Sequence, residues 1–253
     1  MKSLLKRRKK TTKLHAIEPV AAAFPVLRNG EIAAAFAGRR SAGDFYDSIR
    51  VSPSRVLFGL LDVAGRRAQN NNILLAAQRV FRAAGTKLFA PEEVNETDAL
   101  TELCLQLNRT VIETAGGVHS SPAFAGCYNE DLGTVCYFNA GHTPGLVRHT
   151  SSVSELGATG LPLGLFSHTT SDARIIALEP GAALLLVSRG VVELENNREE
   201  FGLRRAEEAL QSANLNGAHD LCAYVLDCAQ RFASVVPANE DITALALVRR
   251  TAV

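Results

Sequence analysis

Two helical stripes stand back to back in a chain whose other apolar segments are short and β-rich, and that order constrains the fold more than any single residue. Ile73, Ala76, Ala77, Val80, Phe81 and Ala84 recur at helical spacing and stop at Gly85. Leu100, Leu103, Cys104, Leu107, Val111 and Ile112 repeat the pattern before Gly116-Gly117. A third stripe of Leu221, Tyr224, Val225, Cys228 and Phe232 predicts a closing helix over 218–232. Between them lie β-rich runs at 55–61, 122–128, 134–139, 175–178, 182–188 and 243–249. Turn residues such as Asn129-Glu130-Asp131-Leu132-Gly133 join successive runs and favour antiparallel pairing. Strands, a helix pair, more strands, then a last helix and strand imply an α+β layered fold.

With 253 residues, 47% of them hydrophobic and 21% charged, the chain can bury a sizeable core within one domain. No apolar stretch approaches the roughly 20 residues that span a bilayer, and no apolar signal region follows the first charges, so a cytoplasmic protein is expected. Five cysteines, odd in number and without a CxxC pair, read as reduced core thiols. Seven of the 27 basic residues precede Glu18, the first acidic one, leaving 20 basic against 26 acidic side chains and a net charge of −6 beyond them. Residues 1–16 are therefore expected to form a basic flexible leader able to touch anionic surfaces, and residues 17–253 the domain. There is no P-loop, dinucleotide fingerprint, zinc spacing or signature of specific nucleic-acid binding.

Five short motifs carry the functional signal: Ala42-Gly43-Asp44-Phe45-Tyr46-Asp47, Leu60-Leu61-Asp62-Val63-Ala64-Gly65, Asn139-Ala140-Gly141-His142-Thr143-Pro144, Ser188-Arg189-Gly190-Val191-Val192-Glu193 and Glu240-Asp241-Ile242-Thr243. In order and spacing they resemble the PPM-type, metal-dependent serine/threonine protein phosphatases, in the branch of bacterial sporulation and stress-response regulators. The signatures of that branch are GGDFYD, DVSGKG, NAGHPP, TDGVTE and DDIT. The resemblance runs from Glu31 to Arg249 and implies a four-layer α-β-β-α sandwich of two antiparallel sheets flanked by helices. It also implies hydrolysis of phosphoserine or phosphothreonine on a regulatory protein, by analogy an anti-sigma-factor antagonist, with Mn2+ or Mg2+. Two hard cations about 4 Å apart activate a bridging water and need carboxylate oxygens around them.

Carried across residue by residue, the resemblance makes Asp62 the bridging metal ligand, the Val63 carbonyl a second ligand, Asp44 the holder of a metal-coordinated water and Glu240 a further metal ligand. Asp44 and Asp62 are thus the expected catalytic pair. Asp47, Asp241 and His142 are expected to support the site, His142 either as a proton donor to a leaving group or as a turn histidine bonded to the backbone. Gly141, Gly164 and Gly190 are expected to serve turns. Three departures weaken the match: Arg189 stands where the family has a ligand aspartate, Glu240 is one methylene longer than aspartate, and Arg67 replaces a glycine. Arg189 removes a ligand and changes the local charge by two. It has two readings: replacing the metal by pairing with Asp62 or Glu240, or gripping a phosphate. The metal complement, two ions, one or none, and the choice between an enzyme and a pseudophosphatase that binds a phosphoprotein, turn on that side chain.

Overall fold

The computed structural model describes residues 23–38, 44–63, 65, 67–168, 171–233 and 241–251, with the side chains of 67–69 outside the description. The expected leader, Glu240 and the side chain of Arg67 lie outside the described residues. Along the chain run β1 (Gly30–Ala37), β2 (Asp44–Arg50), β3 (Arg55–Asp62), α1 (Arg67–Phe89), α2 (Glu96–Ala115), β4 (Ala123–Asn129), β5 (Thr134–Ala140), β6 (Gly145–Arg148), β7 (Val153–Leu156) and β8 (Arg174–Ala177). There follow β9 (Ala183–Val187), α3 (Arg189–Val192), β10 (Glu195–Asn196), β11 (Glu199–Glu200), α4 (Gly202–Ser212), α5 (Ala218–Ala233) and β12 (Ile242–Arg249).

Two five-stranded sheets result, ordered β1-β12-β9-β6-β7 and β2-β3-β4-β5-β8, with every pairing antiparallel. Ile32, Leu184, Leu186, Leu245 and Leu247 of the first meet Val56, Phe58, Leu60, Phe124 and Tyr137 of the second. On the outside, Leu57, Leu61 and Phe138 pack under Leu74, Phe81, Leu100 and Leu103 of α1 and α2. Leu185, Val187, Ala244 and Ala246 pack under Leu210, Leu221 and Val225 of α4 and α5. The expected α-β-β-α sandwich is the observed one. Because the inner strands are covered on both faces, they read as unbroken apolar runs instead of alternating ones.

The second predicted helix ends as expected: Gly116 takes φ 69° and closes α2 onto the Glu113 and Ile112 carbonyls. Gly85 is a different case, since α1 runs through it to Phe89. A Cβ on Gly85 would lie 2.5 Å from Leu57 Cδ2, so this glycine sets how closely α1 approaches β3 instead of capping a helix. β1 escapes prediction because Gly-Glu-Ile-Ala-Ala-Ala-Phe-Ala has little intrinsic strand preference. It is a strand because all eight residues pair with β12, from Gly30 with Arg249 to Ala37 with Ile242. All five cysteines are free, four of them buried.

Candidate functional site

Strand parity gathers the site at one end of the space between the sheets. In β3, Val56, Phe58 and Leu60 face that space, so Asp62 points the same way at the strand's end. In β2, Tyr46 packs there and Asp44 shares its parity, opposite Asp62 in the β2–β3 register. From the other sheet, Leu184 and Leu186 bring Ser188 to the same face, and Leu245 and Leu247 bring Thr243. Ser188 N donates to Thr243 O at 2.9 Å, and Thr243 N donates to Ser188 Oγ at 3.1 Å. Thr243 Oγ1 then donates to Asp44 Oδ2 at 3.0 Å, joining the two sheets. Ser188 and Thr243 lie inside two of the motifs without an expected role of their own; strand parity along β9 and β12 puts them on this face.

Both carboxylates are buried. Burial pushes the Asp44 carboxyl up to about 7, with the Asp62 charge adding to the rise and the Ser188 and Thr243 hydroxyls opposing it. Asp62 is raised for the same first reason, burial, while the Arg189 charge pulls it down. Arg189 opens α3. Its Nε lies 3.4 Å from Asp62 Oδ2 and 3.7 Å from Glu193 Oε2, and its side chain is 56% exposed. The arginine at the aspartate position thus turns toward the carboxylate that the resemblance makes the bridging ligand, with Nε as its nearest nitrogen.

The remaining sequence candidates are distributed as follows. Val63 is fully buried against the α1–α2 layer, which fixes the backbone directly after Asp62. Asp241 is buried at the entrance to β12. Gly190 follows Arg189 in α3 and is not a positive-φ turn glycine; a Cβ there would sit 2.2 Å from Asp241 O. Gly190→Ala is expected to push the 241–243 segment away from Asp44 and cost about 1–3 kcal/mol, read as a lower urea midpoint with unchanged slope. A variant as stable as the native chain would show that this approach is loose.

Asp47 is not brought together with Asp44 and Asp62. It has the opposite parity, and Arg82 of α1 grips both its oxygens, Nε to Oδ2 at 2.6 Å and Nη2 to Oδ1 at 2.8 Å. Gln78 Nε2 adds a bond at 3.2 Å. Its support is to the docking of α1 on β2. His142 is buried, and burial lowers it to about 4, so it is a neutral imidazole. Thr143 Oγ1 donates to Val187 O, so the contact between that hydroxyl and His142 Nδ1 at 3.0 Å is assigned as Nδ1–H donating. Thr143 O lies 3.1 Å from the same nitrogen. This leaves Nε2 as a buried acceptor without a partner in the described structure.

Asp44 and Asp62 form a two-carboxylate face with an arginine at its third corner, and among the described residues no three His, Cys, Asp or Glu side chains converge as a metal would require. Among the described residues that donor set falls short of a two-cation centre: the guanidinium supplies positive charge to Asp62 where the resemblance implies another oxygen.

Two antiparallel sheets between helix pairs, with facing aspartates at one end of the inter-sheet space, define the PPM-type phosphatase fold. The sequence matches the family described as Stage II sporulation protein E (SpoIIE) over residues 52–250, and the chain belongs to that family. Protein IcfG of Synechocystis sp. is 24% identical over 219 residues, covering 78% of this chain and 34% of IcfG, so the chain spans about a third of that relative's length. The RsbU and RsbW domains of Rv1364c from Mycobacterium tuberculosis superpose with a TM-score of 0.73 at 21% identity, covering 92% of this chain and 64% of that one. The catalytic domain of the serine/threonine protein phosphatase PstP, solved in complex with two manganese ions, gives a TM-score of 0.63 at 14% identity over 88% of this chain and 99% of its own. No helix among the described residues is long and apolar enough to cross a membrane.

Proposed function

We propose that this cytoplasmic domain recognises phosphoserine or phosphothreonine on a regulatory protein, by analogy an anti-sigma-factor antagonist, and that Arg189 holds hydrolysis far below the rate of a site with aspartate there. The observation that carries the reading is the 3.4 Å contact between Arg189 Nε and Asp62 Oδ2. Asp62 is the residue that must be free to bridge cations, and here it has a resident positive charge. Likeness to RsbU and RsbW domains supports a regulatory protein as partner.

A second reading, a working Mn2+- or Mg2+-dependent phosphatase, draws on a different observation. Asp44 and Asp62 face each other across β2 and β3, and both are pushed toward the protonated form by burial. Two carboxylates so placed gain from any cation that displaces Arg189, with Val63 and Glu240 as the further ligands this reading assigns. Hydrolysis of an aryl phosphate with and without Mn2+, on the native chain beside Arg189→Asp, separates the two. The expected result is silence in the native chain and Mn2+-dependent turnover in Arg189→Asp. Turnover by the native chain sinks the first reading.

A further inference from the structure

We propose that Arg189 is a phosphate-binding residue, whose guanidinium fork takes the phosphoryl group of a phosphoserine or phosphothreonine without a divalent cation; this rests on the reading of the site as phosphoprotein-directed. The argument begins with how the side chain is held. Nε is its nearest nitrogen to both ion-pair partners among the described residues, Asp62 at 3.4 Å and Glu193 at 3.7 Å. Nη1 and Nη2 donate no hydrogen bond to a described residue, and the side chain is 56% exposed. Arg82 shows the contrast: its Nε and Nη2 are both spent on Asp47, at 2.6 and 2.8 Å. A guanidinium consumed by structure looks like Arg82. One whose Nη groups donate no hydrogen bond to a described residue, on a side chain 56% exposed, is available to meet two oxygens of a phosphomonoester.

The backbone that carries Arg189 is fixed as well. Ser188 is locked to Thr243 in both directions, and Gly190 lies against the Asp241 carbonyl. Little ordering of the main chain is therefore left for binding to accomplish. The opposing effect is repulsion between a phosphoryl dianion and the neighbouring carboxylates. Asp62 is already paired with the guanidinium at 3.4 Å, and the Glu193 side chain is 54% exposed, where water and salt screen it. Repulsion of this kind lowers the affinity and makes it sensitive to ionic strength, while the directional fork contact remains.

The test is calorimetric titration of the full chain in EDTA with phenyl phosphate, and with phenyl sulfate as the singly charged control. Saturable binding of phenyl phosphate is expected, weaker for the sulfate and weaker at higher salt. Arg189→Gln is expected to lose about tenfold or more in affinity, Arg189→Lys to fall between, and Glu193→Gln to bind more tightly than native. Melting curves establish that each variant is folded. Equal affinity in native and Arg189→Gln overturns the proposal. Binding that needs Mn2+ and ignores Arg189 overturns it too, yet leaves the phosphoprotein-directed reading standing. Absence of binding with and without Mn2+ removes both.

Discussion

Arg189→Asp is expected to turn a domain indifferent to Mn2+ into one that Mn2+ stabilises. In the native chain Asp62 already has a cation at 3.4 Å, so a divalent ion must displace it and then meet a guanidinium only a few ångströms away. At about 4 Å and an effective dielectric near 20, a single charge pair is worth roughly 4 kcal/mol, and a doubly charged ion feels twice that repulsion. The substitution removes the opposition and supplies a third carboxylate beside Asp44 and Asp62. Without metal the three acids repel, so the variant in EDTA should melt below the native chain. At Mn2+ one hundred times its dissociation constant, binding adds about 2.7 kcal/mol, or about 5–10 °C in a chain of this size. A native chain stabilised by Mn2+ as much as the variant would mean that Arg189 yields its place without cost.

The sequence makes the layers legible because they follow from apolar periodicity, and it makes the site legible only in part because the site is assembled across sheets. The α2 stripe and its Gly116 cap are local signals, and α2 ends where they place it. β1 has no such signal; its Ala-rich segment is a strand because β12 lies beside it. Gly85 looks like a helix terminus and is instead where α1 closes on Leu57, a distinction that depends on a residue 28 positions away. The same limit applies to the carboxylates. Asp44 and Asp62 are visible in their motifs, but the bond from Thr243 to Asp44 spans 199 residues. Asp47 sits in the same motif as Asp44 and faces the other layer, where Arg82 holds it. Motif membership selects the strand end; parity and the opposite sheet decide which side chains meet there.

Asp44→Asn is expected to stabilise the protein at pH 8 by about 2–4 kcal/mol in metal-free buffer and to change little near pH 4. Asp44 keeps its proton in the folded state up to about pH 7, whereas its ordinary value is 3.8. Between those values the folded state binds a proton that the unfolded chain has lost, so native stability falls as pH rises through the window. Asparagine does not titrate, and the gap between the two proteins opens across that range and is complete above it. The full rise corresponds to about 4 kcal/mol; re-pairing the Ser188 and Thr243 hydroxyls with an amide takes back part of it. His142 acts with the opposite sign, since burial lowers it from 6.5 to about 4 and folding weakens as pH falls through that interval. It does so equally in both proteins and cancels in their difference. Urea unfolding of both chains at pH 5 and pH 8 in EDTA measures the effect. Equal midpoints at pH 8 would mean that Asp44 is already ionised and compensated in the fold. A gap that grows with pH would mark Asp44 as a carboxylate held at a cost to stability, as residues kept for binding or chemistry are.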